Sequence, residues 1–146
     1  MLKDYLPTAH IQLIEQIEDW QKAVQLCAEP LLNEGLIETR YIARIFQLHQ
    51  EIGPYFVIAP QIAMPHARPE DGANAQALSL LVVKQGVDFQ SENDPVNLII
   101  LLAAKNNDSH IEMLSAVAEL LSDDKAVQSM IRADNTTQIE NIISHY

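Results

Sequence analysis

Cysteine is nearly missing from this 146-residue chain, where Cys27 stands alone. One thiol cannot close an internal disulfide, and with no Cys-x-x-Cys pair there is no zinc ribbon and no dithiol redox motif. Such a chain suits a reducing cytosol. Glycine is also scarce, at four residues. Neither a Gly-x-Ser-x-Gly elbow nor a Gly-x-x-x-x-Gly-Lys loop occurs, which argues against an α/β-hydrolase nucleophile and against nucleotide binding. Basic residues are few, nine Lys and Arg against twenty Asp and Glu, for a formal charge of −11. Binding to a nucleic-acid backbone needs a basic face, so that class is excluded. No His-x-x-x-His or His-Glu-x-x-His spacing is present, and no metal site is expected.

Long apolar runs are missing too. The longest, Leu98 to Ala104, falls far short of the roughly 18 residues that a membrane-spanning helix requires. Asp4 and Pro7 interrupt the N-terminal segment, so it does not read as a signal peptide. A cytoplasmic protein with no membrane insertion is the expectation. Its 48% hydrophobic content supplies a core, and the length fits one domain over residues 1–146. A chain of this size buries roughly 70% of the surface that its unfolded form exposes.

Periodicity then divides the chain. His10–Ile17 reads as a first strand from the partial alternation at Ile11 and Leu13. Trp20, Ala23, Val24, Cys27 and Leu31 recur at helical spacing between Asp19 and Glu34, and Gly35 follows as a C-terminal cap. A second helix is predicted over Glu38–Glu51, ended by Gly53-Pro54. "YFVIAP" reads as a short strand, and the segment from Ile62 as a strand running out into a stiff loop. Ala77–Val83 and Val96–Ala104 are almost continuously apolar, as in strands covered on both faces, with turns expected at Gly86 and Asn93-Asp94-Pro95. Ser109 with Glu112 fits a capping box ahead of a helix over Ile111–Leu121. "SDDKAVQSMI" opens another, and a last helix is expected to be capped near Thr136 or Thr137. The fold class predicted is α/β, four or five strands with helices on both faces.

Of five histidines, His66 has the most constrained setting, in "IAMPHARPEDG". Pro65 fixes the backbone before it, and Pro69 holds Arg68 extended. The imidazole is thus presented beside a permanent cation suited to phosphate oxygens. This is either a nucleophile toward phosphorus or a loop histidine pinned by prolines that end a strand. His110 falls in the first turn of the helix capped by Ser109, where free N–H groups and the helix dipole favour anions. It is either a donor to such an anion or an ordinary first-turn residue.

"GPYFVIAPQIAMPHARPEDG", Gly53 to Gly72, followed by an apolar stretch, an "NDPV" turn, a strand and "SHIEML", resembles the mannitol/fructose class of enzyme IIA. These are phosphocarrier domains of the phosphoenolpyruvate-dependent sugar phosphotransferase system. The wording of the proline-histidine segment is most similar to the ascorbate-specific branch. The resemblance implies a single mixed β-sheet of about five strands flanked by helices on both faces, a phosphohistidine at His66 and a second active-site histidine at His110. It further implies transfer from the histidine phosphocarrier protein to a IIB component serving a IIC permease, with no metal, nucleotide or other cofactor. The mannitol branch carries an arginine late in the helix before the active strand. This chain has His49-Gln50-Glu51 there, and Arg68 is the candidate replacement, with Ser109 a further phosphate contact. A nitrogen-type regulatory IIA, acting by phosphorylation-dependent protein binding, is the alternative within the same fold.

Overall fold

The structure, a computed structural model, describes residues 1–106 and 111–146. The described residues form β1 (Ile11–Ile14), α1 (Trp20–Asn33), α2 (Thr39–Ile52), β2 (Val57–Ala59), β3 (Ile62–Ala63), β4 (Ala77–Val87), β5 (Val96–Ala103), α3 (Ile111–Leu121), α4 (Asp124–Ile131) and α5 (Thr136–Ile143). The sheet runs β1-β4-β5-β3-β2. β1 is parallel to β4 and β3 to β5, while the β4–β5 and β2–β3 pairs are antiparallel. The apolar pattern predicts an α/β fold with strands covered on both faces, the resemblance implies a mixed sheet, and both are found.

All eight residues of β5 and the first seven of β4 are buried. Side chains alternate faces along a strand, so complete burial demands a layer on each side. The packing divides by parity. Leu81, Val83, Ile99 and Leu101 meet Ala23, Val24, Cys27 and Leu31 of α1 and Tyr41 and Ile45 of α2. Leu78, Leu80, Val82, Leu98, Ile100 and Leu102 face Met113, Val117 and Leu120 of α3, Val127 and Met130 of α4, and Ile139 and Ile143 of α5. Each buried Val, Leu, Ile or Met side chain among them gains roughly 1.5–3 kcal/mol on leaving water.

The helix ends follow from their caps. Asp19 accepts the Lys22 N–H at 2.8 Å to open α1. At its far end, Gly35 adopts φ +71°, its N–H bonds Leu32, and the Leu36 N–H bonds Leu31. This is a Schellman closure, at the glycine expected to cap. Pro30 lies inside α1 and has no N–H for the carbonyl of Leu26. Gln12 of β1 fills the gap, its Nε2 donating to that carbonyl at 2.7 Å.

Boundaries differ in several places. β1 is shorter than His10–Ile17, because a 3₁₀ turn over Thr8–His10 precedes it and the extended backbone gives out at Ile14. "YFVIAP" yields only Val57–Ala59, since the chain reverses through Pro60-Gln61, with Gln61 at φ +71°, before β3. β4 passes through the expected turn at Gly86 and ends at Val87. Gly86 sits where the β4–β5 register shifts, at φ +77°, and a Cβ there would lie 2.7 Å from Pro95 Cβ. Glycine here answers a close approach within the strand rather than the strand's end. α5 is capped by Asn135, which accepts the Gln138 N–H at 2.9 Å, and Thr136 is already its first helical residue. Ser109, and with it the expected capping box, lies outside the described residues. Among the described residues, no helix is long and apolar enough to cross a membrane.

Candidate active site

The site grows out of the end of β3. Past Ala63 the chain still follows the sheet, with the Met64 N–H donating to Phe56 at 2.7 Å and the Leu102 N–H donating to Pro65 at 3.1 Å. Pro65 is buried, His66 is half-buried and Arg68 is exposed. The imidazole therefore stands at the exit of a strand fixed on both sides, as the prolines predict.

His66 Nδ1 lies 2.8 Å from the Met64 carbonyl oxygen. A carbonyl only accepts, so Nδ1 carries the hydrogen and Nε2 is left with its lone pair. Nε2 bonds no other described residue.

Two tyrosines flank the loop. The Tyr55 hydroxyl donates to the His66 carbonyl, and its ring stands nearly edge-on to the imidazole, 5.5 Å between centroids. The Ala67 N–H donates to the Tyr41 hydroxyl at 3.0 Å, and that hydroxyl donates to the Leu102 carbonyl at 2.7 Å. Beyond them, the Arg68 N–H donates to Asp71 Oδ2 at 3.0 Å, within a 3₁₀ turn over Pro69–Asp71. Asp71 in turn lies 3.9 Å from Arg44 Nε of α2. Gly72 closes the turn at φ +128°, where a Cβ would meet Arg40 Cγ at 3.1 Å and the Tyr41 backbone nitrogen at 3.2 Å. The Arg68 guanidinium makes no hydrogen bond or ion pair with another described residue.

Burial pushes the Tyr41 hydroxyl up to about 12, from 10.0, and raises Tyr55 as well. Both are donors at any physiological pH. For Tyr41 the neutral phenol is the form that the fold favours. Its stabilisation is therefore complete below the unfolded value near 10 and is lost as pH climbs from there through about 12. A spectrophotometric titration should show Tyr41 ionising in that late window together with the onset of alkaline unfolding. Its absence from the Tyr41→Phe titration would assign the transition.

Other histidines are occupied or remote. His10 is 3% exposed, with Nδ1 2.9 Å from the Leu78 carbonyl and Nε2 2.5 Å from Glu34 Oε2. His49 is buried, stacked on Trp20 at 3.9 Å, with Nε2 on the Phe89 carbonyl at 3.0 Å. His145 is exposed, just beyond α5. His110 and Ser109 lie outside the described residues. The structure thus brings His66 and Arg68 onto one loop. Tyr41, Tyr55 and Asp71, which also contact this loop, are given no role by the sequence reading. A tyrosine rather than a phenylalanine on a core-facing helix side is the available signal, because a buried hydroxyl requires a partner.

Comparison with known proteins covers almost the whole chain. Residues 4–146 match the family described as "Phosphoenolpyruvate-dependent sugar phosphotransferase system, EIIA 2". The chain belongs to that family. As an enzyme IIA component it is a phosphotransferase of sugar transport. It is 38% identical over 143 residues to the mannitol-specific cryptic phosphotransferase enzyme IIA component of Escherichia coli, covering 98% of this chain and 97% of that one. With the ascorbate-specific EIIA component of Salmonella choleraesuis it shares 37% over 129 residues, covering 88% and 84%. The solution structure of the cryptic mannitol-specific IIA from Escherichia coli superposes with a TM-score of 0.93 at 38% identity, covering 99% of each chain. Among the described residues of this IIA component, no three His, Cys, Asp or Glu side chains converge as they would around a metal ion.

Proposed function

We propose that His66 is the phosphoryl acceptor of this IIA component and that Nε2 is the reacting atom. The observation that carries this reading is the Nδ1–H bond to the Met64 carbonyl, which leaves the other nitrogen as a nucleophile. In the step, the Nε2 lone pair forms a bond to phosphorus of the phosphorylated histidine phosphocarrier protein. The donor's N–P bond breaks, and its electron pair stays on the donor's ring nitrogen. His66 keeps its Nδ1 proton throughout. The phosphorylated ring is then cationic, its bond to Met64 becomes charge-assisted, and the N–P bond stays labile enough for onward transfer to a IIB component. That component serves a IIC permease for a sugar, and ascorbate and mannitol are the substrates that the relatives' names suggest. The relay operates in the cytoplasm, within a single domain, and needs no cofactor.

Arg68 is the candidate cation for the phosphoryl oxygens, being exposed on the same loop with its guanidinium uncommitted. Sequence resemblance alone supports roles for His110 and Ser109 as donors to the same oxygens. Arg68→Ala should slow transfer rather than end it. One charge-assisted hydrogen bond is worth about 1.5–3 kcal/mol, which corresponds to a fall of about 10- to 150-fold if it forms mainly in the transition state. Single-turnover transfer from the phosphorylated phosphocarrier protein measures this, and an unchanged rate would assign Arg68 to solvent.

The reading as a whole is tested by incubating the protein with labelled phosphoenolpyruvate, enzyme I and the phosphocarrier protein. Acid-labile label should appear on the chain and be discharged by a IIB component. No label would overturn the relay.

A further inference from the structure

We infer that Tyr41 and Tyr55 are positioning residues for phosphoryl transfer, holding the two ends of the single peptide group that joins His66 to Ala67. The inference rests on His66 being the acceptor. The carbonyl of that peptide takes the Tyr55 hydroxyl proton, and its N–H goes to the Tyr41 hydroxyl. A peptide group is a rigid plane, so two partners at opposite ends fix its rotation. The anchors come from different parts of the fold. Tyr41 belongs to α2 and is tied by its own proton to Leu102 of β5. Tyr55 precedes β2 and packs edge-on against Phe56, 4.8 Å between centroids.

This peptide lies between the nucleophile and its cation. Rotating it would swing Arg68 relative to the imidazole, while the ring itself stayed on the Met64 carbonyl. The hydroxyls therefore set the angle between the lone pair that attacks phosphorus and the charge that meets the phosphoryl oxygens. In-line transfer is sensitive to that angle. Two phenylalanines would fill the same ring volume, and each hydroxyl carries a desolvation cost that the apolar side chain lacks. Burial, which raises the pKa of both, keeps the two hydroxyls protonated, as donation requires.

Tyr41→Phe and Tyr55→Phe test this on the full chain. Each should keep its circular dichroism spectrum at 25 °C. With phosphorylated phosphocarrier protein as donor, kcat per folded molecule should fall about 3- to 10-fold for each variant, with KM unchanged. The Ala67 amide should exchange with solvent faster in Tyr41→Phe, and ¹⁵N spectra should still show the Nδ1–H form of His66 in both. Wild-type kcat in both variants, with only the melting temperature lowered, would make the hydroxyls structural and overturn the inference. A raised KM at constant kcat would also overturn it, by placing them in donor binding. The His66 reading fails separately, on persistence of label in His66→Ala, and Ala67 amide exchange judges the clamp without any phosphoryl donor.

Discussion

His66→Ala is expected to take up no phosphoryl label while folding as the parent does. The substitution deletes Nε2, the proposed reacting atom, so the expected effect is loss of the acceptor and not a slower rate. The fold should survive for a local reason. The imidazole is half-buried and makes a single hydrogen bond, to a carbonyl two residues away. Losing such a bond costs about 0.5–1.5 kcal/mol, against a domain stability of about 5–15 kcal/mol. Pro65, the tyrosine contacts to the following peptide and the Leu102–Pro65 bond all remain. Circular dichroism and the labelling assay on one preparation decide it. Label on the alanine variant would move the acceptor elsewhere. His10 and His49 are poor substitutes, buried with ring nitrogens already engaged, which leaves His110 and His145 to be examined first.

Trp20→Ala should produce the largest loss of stability among single side-chain truncations on the α1–α2 side of the sheet. The indole is 5% exposed and serves as the hub of an aromatic group. It stacks on His49 at 3.9 Å, meets Phe46 edge-on at 5.4 Å, and lies 6.2 Å from Phe56 and 6.0 Å from Phe89. Truncating a buried Trp to Ala costs about 3–5 kcal/mol, the lost transfer energy plus the cavity left behind. Aromatic pairing adds about 0.5–1.5 kcal/mol per favourable pair. Most of a domain's stability is at stake. Urea unfolding should show a midpoint lowered in proportion, at an unchanged slope. A loss below about 1 kcal/mol would mean that Phe46 and Phe89 close over the gap. The damage would also reach the site, because the Phe56 carbonyl receives the Met64 N–H on the way to His66.

Much of this was legible in the chain because its causes are local. Continuous apolar runs at Ala77–Val83 and Val96–Ala104 announce strands covered on both faces, since no polar face is offered to water. Two prolines around a histidine and an arginine mark a stiff exit from a strand. Gly35 marks a helix end. The rest depends on groups that meet only after folding. Tyr41 finds its partners 26 and 61 residues onward, and Tyr55 reaches His66 across 11 residues and a strand reversal. Gly86 looked like a turn because glycine commonly makes turns. Its actual reason is the approach of Pro95, just ahead of the neighbouring strand β5. Pro30 would end a helix in isolation, and what rescues it is a side chain 18 positions earlier, on a different element.

That rescue has a consequence for the outermost strand. β1 has a single neighbour in the sheet, and four backbone pairings alone fix its alignment weakly. Sliding β1 by one residue would turn Gln12 to the opposite face and bring an apolar side chain to the Leu26 carbonyl, which no backbone amide can then satisfy. The helix breaker in α1 thus works as an alignment key for an edge strand: only one register supplies the donor that the proline withholds.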